Sequence, residues 1–258
     1  MPFAHSGLKT VATALIAGAL VLPCLPACAW DWGPASMVEG SGRTIQSLQR
    51  LASFRHLSLE LPASVRLIQG ETEAVLIEAD DNLLPLIEAV VEEHQLKIRP
   101  LRRSSAFKPG SIRITVNARA IERLSISGSG DIRSDKLQAA SLEARISGSG
   151  DIRIGALDAD ALRVTISGNG DFQAGGRADS VEASVSGSGN IHLERLAARA
   201  VKLSIAGSGN AQLWASQTLD VNIAGSANVD YYGDAALSRT VAGSGRIRRL
   251  GVAPGKPD

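Results

Sequence analysis

Apolar and polar residues alternate with a period of two along most of the chain. The clearest runs are residues 142–146, 162–166, 181–185, 201–205 and 219–223, where every second residue is Leu, Ile, Val or Ala and the intervening residues are charged or polar. A period of two places successive side chains on opposite faces of a β-strand. The pattern predicts strands that bury one face and expose the other.

A short glycine motif follows each of these runs. Residues 126–132 and 146–152 both read Ile-Ser-Gly-Ser-Gly-Asp-Ile, and variants bring the number of copies to seven between residues 126 and 247. The first glycines of successive copies are 20, 20, 19, 20, 18 and 18 residues apart. Such a constant period indicates one structural unit stacked repeatedly.

The period also selects the fold class. Antiparallel hairpins would reverse neighbouring copies, whereas every copy here has the same flanks in the same order. A coil that returns to its starting side every 18–20 residues meets this requirement. We therefore predict an all-β protein, a right-handed parallel β-helix (β-solenoid) with about 18–20 residues per coil.

The glycines of the motif are predicted to form tight, stacked corners. Glycine tolerates positive φ and close backbone approach, so the second and fourth residues after each Ile or Val suit a corner without room for side chains. The glycines assigned to this structural role are Gly128, Gly130, Gly148, Gly150, Gly168, Gly170, Gly187, Gly189, Gly207, Gly209, Gly225, Gly243 and Gly245.

The residue after the second glycine position changes along the repeat. The successive residues are Asp131, Asp151, Asp171, Asn190, Asn210, Asn228 and Arg246. Three stacked carboxylates make calcium binding an alternative. However, Asp gives way to Asn and Arg, the period is not the nine residues of calcium β-rolls, and Arg133 and Arg153 could neutralise the carboxylates. We predict no metal site and no cofactor.

Residues 44–121 lack the glycine motif but retain the strand pattern. Strands are predicted at 54–59, 65–70, 75–79, 96–98 and 112–116, with a helical turn within 82–91. This part is interpreted as degenerate solenoid coils or a β-rich cap, and we favour the continued solenoid. Residues 122–250 form the regular repeat, and 251–258 a tail.

The first 29 residues resemble an export signal. Lys9, an apolar stretch at 11–22 and the small-residue sequence Ala27-Cys28-Ala29 fit this pattern, and 30–43 would be a linker. Cleavage after Ala29 would remove both cysteines of the chain, and the alternative is lipid attachment at Cys28, which would anchor the protein to a membrane. The predicted location is the periplasm or the outer membrane and cell surface.

Charge and composition argue against nucleic-acid binding and catalysis. The formal net charge is +1, and removing Lys9 leaves 1 − 1 = 0, so no long-range field attracts phosphate polymers. His56, His94 and His192 are isolated in sequence, and no nucleophile motif is present. We predict no catalytic residues; a polysaccharide-active enzyme and a calcium-binding solenoid are the least favoured alternatives.

Three aromatic residues form the only candidate ligand patch. Trp214, Tyr231 and Tyr232 lie in the last copies of the repeat and could form a platform for a sugar ring. The other interpretation is an apolar cover for the C-terminal end of the solenoid.

The order of elements over residues 50–247 resembles a known family, the putative auto-transporter adhesin head, GIN domain. The resemblance is carried by the strands after Phe54, Val65 and Ile112, the Asn82-Leu83-Leu84 segment and the Ile-Ser-Gly-Ser-Gly-Asp repeat. It implies a right-handed β-helix, an envelope location, an adhesive role and no catalytic residues.

The expected function is therefore an exported, non-catalytic adhesive or structural β-solenoid. Its ligand would be an extracellular or envelope protein or glycan. The alternative is a periplasmic scaffold that binds a protein or a glycan.

Overall fold

The computed structural model describes residues 37–102, 106–107 and 112–253. The predicted export signal at 1–29, with Cys28, and parts of the predicted linker and tail lie outside the described residues. Within the described ranges no helix is long and apolar enough to cross a membrane, and the helical structure is one 3-10 turn at Leu84–Leu86. The strands are β1 (Met37–Val38), β2 (Thr44–Arg50), β3 (His56–Leu59), β4 (Ser64–Gln69), β5 (Ala74–Asp80), β6 (Ile87–Glu92), β7 (Gln95–Pro100), β8 (Ala106–Phe107), β9 (Arg113–Ala118), β10 (Arg123–Gly128), β11 (Asp131–Gly148), β12 (Ile152–Gly168), β13 (Phe172–Gly187), β14 (Ile191–Gly207), β15 (Asn210–Gly225), β16 (Asn228–Tyr232), β17 (Ala236–Gly243) and β18 (Arg246–Gly251).

Strands β11 to β15 are long, bent strands, each of which follows most of one coil. Every one pairs in parallel with the next, so that Ile146 lies beside Ile166 and Ile166 beside Val185. The predicted parallel β-solenoid is therefore confirmed. We call the side that ends at the first motif glycine side A (142–148 in β11), and the side that begins after the motif side B (152–154 in β12). A short third side, such as 156–159, connects B to A.

The core consists of columns of stacked apolar side chains. One column on side A contains Leu142, Leu162, Val181, Val201 and Leu219, all at most 4% exposed. Each residue packs on the equivalent residue of the next coil, so the buried apolar area, which stabilises by roughly 25 cal/mol per Å², is continuous along the stack. Branched aliphatic side chains fill the interior, consistent with the few aromatic residues in the sequence.

The corners explain the glycine motif, with one correction. The first glycine of all seven copies has positive φ, between 117° and 142°. The second glycine, for example Gly150, does not, although both positions were expected to allow it. It is needed for space, because a Cβ at Gly150 would overlap the carbonyl oxygen of Gly130 in the preceding coil.

The N-terminal part builds coils in an order that differs from the chain. The predicted strands form as β3, β4, β5, β7 and β9, but β3 inserts between β7 and β10. Likewise β4 lies between β9 and β11. Strands β3 and β4 therefore occupy the second coil of the stack, after the coil that contains the later strands β7 and β9.

Antiparallel strands cover the N-terminal end of the stack. Strand β5 pairs with β9, β2 pairs with β5, and β6 pairs with β7. The helical turn expected within 82–91 is limited to the 3-10 turn, because the alternating residues from Ile87 onward pair as β6. In this part of the molecule, β3, β4, β7 and β9 pair in parallel along the stack, and β2, β5 and β6 form antiparallel pairs at its end.

The last coil carries arginines where other coils carry apolar side chains. Arg239 stacks on Val221 and Arg249 on Tyr231, which are buried core positions. Strands β17 and β18 each have a paired neighbour on one side only. Inward-facing charges on such an edge oppose pairing with the edge of another sheet, so they end the solenoid here.

A candidate ligand-binding surface

A hydrogen-bonded column of Asp and Asn side chains lies on the outer face of side B. The backbone N–H of Asp171 donates to Asp151 Oδ1 at 3.0 Å, and that of Asn190 donates to Asp171 Oδ1 at 3.0 Å. The column continues through amides, since Asn210 Nδ2 donates to Asn190 Oδ1 at 3.1 Å. Each side chain thus satisfies a donor of the next coil, as buried or crowded polar groups require.

The carboxylates of this column are used for coil stacking. Asp131 Oδ1 accepts the N–H of Asp151 at 3.3 Å, and Arg153 binds Asp151 Oδ2 at 2.6 Å. Among the residues that the structure describes, no group of three or more His, Cys, Asp or Glu side chains is arranged to hold a metal ion. The calcium alternative gains no support from this geometry.

A second outward column runs beside the first and encloses a groove. His192, Gln212, Asp230 and Arg248 are neighbours in successive coils. With Asn190, Asn210, Asn228 and Arg246 of the first column they line a groove of about 570 Å³. We call it the amide groove. Sequence reasoning missed it, although its second column always lies two residues after the Asp/Asn column.

The amide groove ends in a charged pair. Arg248 Nε and Nη2 donate to the two carboxylate oxygens of Asp230, both at 3.0 Å. The hydrogen bonds to Asp230 raise the pKa of Arg248 above its ordinary value. This bidentate geometry fixes both side chains at the C-terminal end of the groove.

The structure brings together two of the three predicted patch aromatics. Trp214 and Tyr232 are neighbours in the register of β15 and β16, both partly exposed on side B. We call them the aromatic pair. Tyr231 faces inward beside Leu213 and is only 8% exposed, so it belongs to the core and cannot contact a ligand on this surface.

Glu194 holds the corresponding position one coil earlier. It follows Leu193 as Trp214 follows Leu213, and those two leucines are register neighbours. Glu194 Oε2 is buried, and among the described residues it has no hydrogen-bond partner. A buried carboxylate oxygen without a hydrogen-bond partner destabilises the folded state. Glu194 lies in the coil directly before Trp214, at the equivalent position.

The outer face of side A carries a ladder of alternating charge. Its successive members are Arg123, Glu143, Arg163, Glu182, Lys202 and Asp220. Arg123 binds Glu143 at 2.7 Å and Arg163 binds Glu182 at 2.8 Å. Partial burial raises the pKa of Glu143, but hydrogen bonds from Arg145 and Arg123 lower it by more, so the net pKa lies below its ordinary value. The charged side chains on the outer face of side A therefore neutralise one another.

The three histidines of the described residues occupy separate environments. His56 lies in β3, His94 in the turn between β6 and β7 with φ 60°, and His192 in the amide groove. The carbonyl oxygen of His94 accepts the N–H groups of Arg55 and His56, so its backbone is used to join two coils.

The repeat, the glycine corners and the polar outer columns define a glycine-cornered parallel β-solenoid. A family model described as "Putative auto-transporter adhesin, head GIN domain" matches residues 53–235. The match spans more than half of the chain, so the chain belongs to this family. A search of curated proteins finds no significant match.

Solved bacterial structures share the fold. A putative adhesin from Bacteroides fragilis is 23% identical with a TM-score of 0.76, covering 83% of this chain and 100% of that one. A putative lipid binding protein from Parabacteroides distasonis is 24% identical with a TM-score of 0.71, covering 83% and 99%. A putative adhesin from Parabacteroides merdae is 20% identical with a TM-score of 0.65, covering 83% and 99%. At these identities the similarity concerns the fold.

Proposed function

We propose that this protein is an exported, non-catalytic adhesive head that binds a glycan along the outer face of side B. The observation that carries the proposal is the aromatic pair beside the amide groove. Aromatic faces pack against the apolar faces of sugar rings, and amide, carboxylate and guanidinium groups bond their hydroxyls. Family membership supports an adhesive role.

The repeated columns support binding by many weak contacts. The amide groove presents an asparagine side chain in each of three successive coils, Asn190, Asn210 and Asn228, spaced by about 4.8 Å along the stack. An extended ligand that follows the axis would make several equivalent contacts, and such contacts raise affinity together without a deep pocket. This suits a polymer better than a small substrate.

The first test is a titration of the mature chain with neutral oligosaccharides, followed through the indole N–H signal of Trp214 by NMR. We expect this signal to shift, and Trp214→Ala to weaken binding by roughly tenfold because the ring face is lost. Trp214→Phe keeps an aromatic face and should retain most of the affinity. An unchanged affinity in Trp214→Ala would contradict the proposal.

The second test concerns location. Protease accessibility of a tagged chain is compared on intact and permeabilised cells. Cleavage on intact cells supports an adhesive head at the surface. Protection until the outer membrane is breached contradicts it and favours the periplasmic scaffold.

A further inference from the structure

A second depression lies on side B and extends over the coils of β11 to β14, the last of which is next to the coil that carries Trp214. It is about 250 Å³ in volume, and its floor contains Gly155 and Gly175. Gly155 is followed in the next coil by Gly175, and Gly175 by Arg195. Gly155 is exposed and Gly175 is buried. A Cβ at either one would lie 2.7 Å from a carbonyl oxygen of the preceding coil, so glycine allows the coils to pack closely here and no side chain projects into the depression from these two positions. We call it the glycine depression.

Cationic side chains surround the glycine depression. Arg133, Arg153 and Arg195 line it, together with Gln173 and Asp135. Asp135 is bound by Arg66 at 2.8 Å from the neighbouring coil. The lining itself therefore holds three cations and one carboxylate that is already paired.

Two of the three arginines have unused charge. Arg153 is paired with Asp151, but over the described ranges no ion pair is formed by Arg133 or Arg195. In the adjacent column, Asp131 Oδ1 accepts the Asp151 N–H, and Asp171 Oδ1 accepts both the N–H and the Nδ2 of Asn190; within the described residues neither carboxylate forms an ion pair with Arg133 or Arg195. Arg133 and Arg195 thus remain for a ligand on either side of the glycine floor.

We propose that the glycine depression binds the anionic substituent, a carboxylate or sulfate, of an acidic glycan. Arginine recognises such oxyanions through paired N–H donors, and Arg133 and Arg195 line the depression without an ion pair among the described residues. The inference rests on the proposed function, because it names the class of glycan that side B recognises.

The position of the depression fits one ligand along the axis. Gln173, on its rim, is the register neighbour of His192, which lines the amide groove. The two surfaces are therefore continuous, one coil apart, or about 4.8 Å. A glycan chain that stacks on the aromatic pair and crosses the amide groove reaches the depression without leaving side B.

The test uses three soluble probes on the ¹⁵N-labelled mature chain: sulfate, a galacturonic acid oligosaccharide, and the methyl ester of that oligosaccharide. We expect sulfate and the acid to shift the amide signals of Gly155 and Gly175, and the neutral ester to shift only the Trp214 indole. The double variant Arg133→Gln with Arg195→Gln should bind the acid roughly tenfold more weakly, since two charge-assisted contacts are lost, and bind the ester unchanged.

The control is Arg50→Gln with Arg102→Gln, which removes the same charge from two exposed arginines of the N-terminal part that line neither the glycine depression nor the amide groove. It should bind the acid as the unmodified chain does. If the control loses as much affinity for the acid, the loss results from the lower overall charge and not from a local site, and the proposal is overturned.

The remaining outcomes separate this inference from the proposed function. If acid and ester shift Gly155 and Gly175 equally, or if neither sulfate nor the acid shifts them, the anion site is wrong while a Trp214 response still supports glycan binding. If Trp214 responds to no saccharide, the glycan assignment fails together with the proposed function. Shifts produced only by phosphatidylglycerol vesicles would assign the depression to an anionic membrane and overturn the inference.

Discussion

From β11 to β15 the coils follow one another in the stack as they do in the chain, whereas between β3 and β9 they do not. In the repeat, each corner contains a glycine with positive φ that lies directly over the glycine of the preceding coil. Among the described residues of the N-terminal part no such corner exists, and β3 and β4 lie between strands that come later in sequence. A glycine corner stacks only on the equivalent corner of the preceding coil, so it determines both the register and the order of the coils. Alternating apolar residues alone determine neither.

The comparison can be tested most strongly at the corners, with two copies of identical sequence. Gly148→Ala adds a Cβ that would overlap the Gly128 carbonyl oxygen, whereas Gly128→Ala meets nothing within 4 Å. Both have positive φ, 127° and 117°, so both should lose about 1–3 kcal/mol from backbone strain. Gly148→Ala should lose a further 1–3 kcal/mol or so from overpacking. Urea denaturation measures both, and equal losses would contradict the stacking explanation.

The inserted coil offers a second test. Leu57 in β3 is fully buried and lies between Leu96 and Leu124, so Leu57→Ala should cost roughly 2–5 kcal/mol. Leu237→Ala is the control, because Leu237 is 37% exposed on the last coil and should cost under about 1 kcal/mol.

Hydrogen exchange locates the effect of Leu57→Ala. Coils of a solenoid contact only their neighbours, so exchange should quicken in β7, β3 and β10 more than in β14 and β15. Uniform acceleration along the whole stack would show instead that the two regions open as one unit.

The charge ladder of side A begins where the two regions meet, and Glu143 tests its contribution. Its side chain is 17% exposed and binds Arg123 at 2.7 Å. Glu143→Gln should cost about 1–3 kcal/mol at neutral pH, as expected for hydrogen bonds to a charged group. Glu182→Gln, with a side chain 46% exposed, should cost under about 1 kcal/mol.

The cost of Glu143→Gln should depend on pH in one direction. Because the folded pKa of Glu143 is lowered, its stabilisation is present above the ordinary value of 4.5 and is lost as the pH falls through the folded pKa. Thermal melts of the two proteins should therefore converge in acid. A constant difference down to strongly acidic pH would refute the assignment.

The smallest effect is expected in the amide column. Asn210 donates to Asn190 and accepts from Asn228, each at 3.1 Å, so Asn210→Ala should cost about 1 kcal/mol. Ser208→Ala, at the exposed corner of the same coil, should stay within about 0.5 kcal/mol of the unmodified protein. Denaturant melts compare them, and a Ser208 effect as large as that of Asn210 would argue against the column as a stabilising element.

The sequence predicts much of the candidate site, but it does not show which residues come together on the outer face of side B. The repeat places Asp131, Asp151 and Asp171 in one column. The period of two places Trp214 and Tyr232 on the outer face of their strands and Tyr231 on the inner face. The alternation of inward and outward residues is therefore enough to exclude Tyr231 from the ligand patch. The glycine depression could not be read in the same way, because a bulge between β13 and β14 brings Arg195 opposite Gly175.

The sequence by itself determined the strands of the repeat, the 18–20-residue period and the parallel stacking, because each copy carries its own corner and its own buried face. Only the tertiary structure decided where β3 and β4 enter the stack, which antiparallel strands cover its end, and which polar columns meet on side B. Those features depend on pairing between segments of unlike sequence, where many registers bury similar apolar area and the packing of the whole molecule selects one of them.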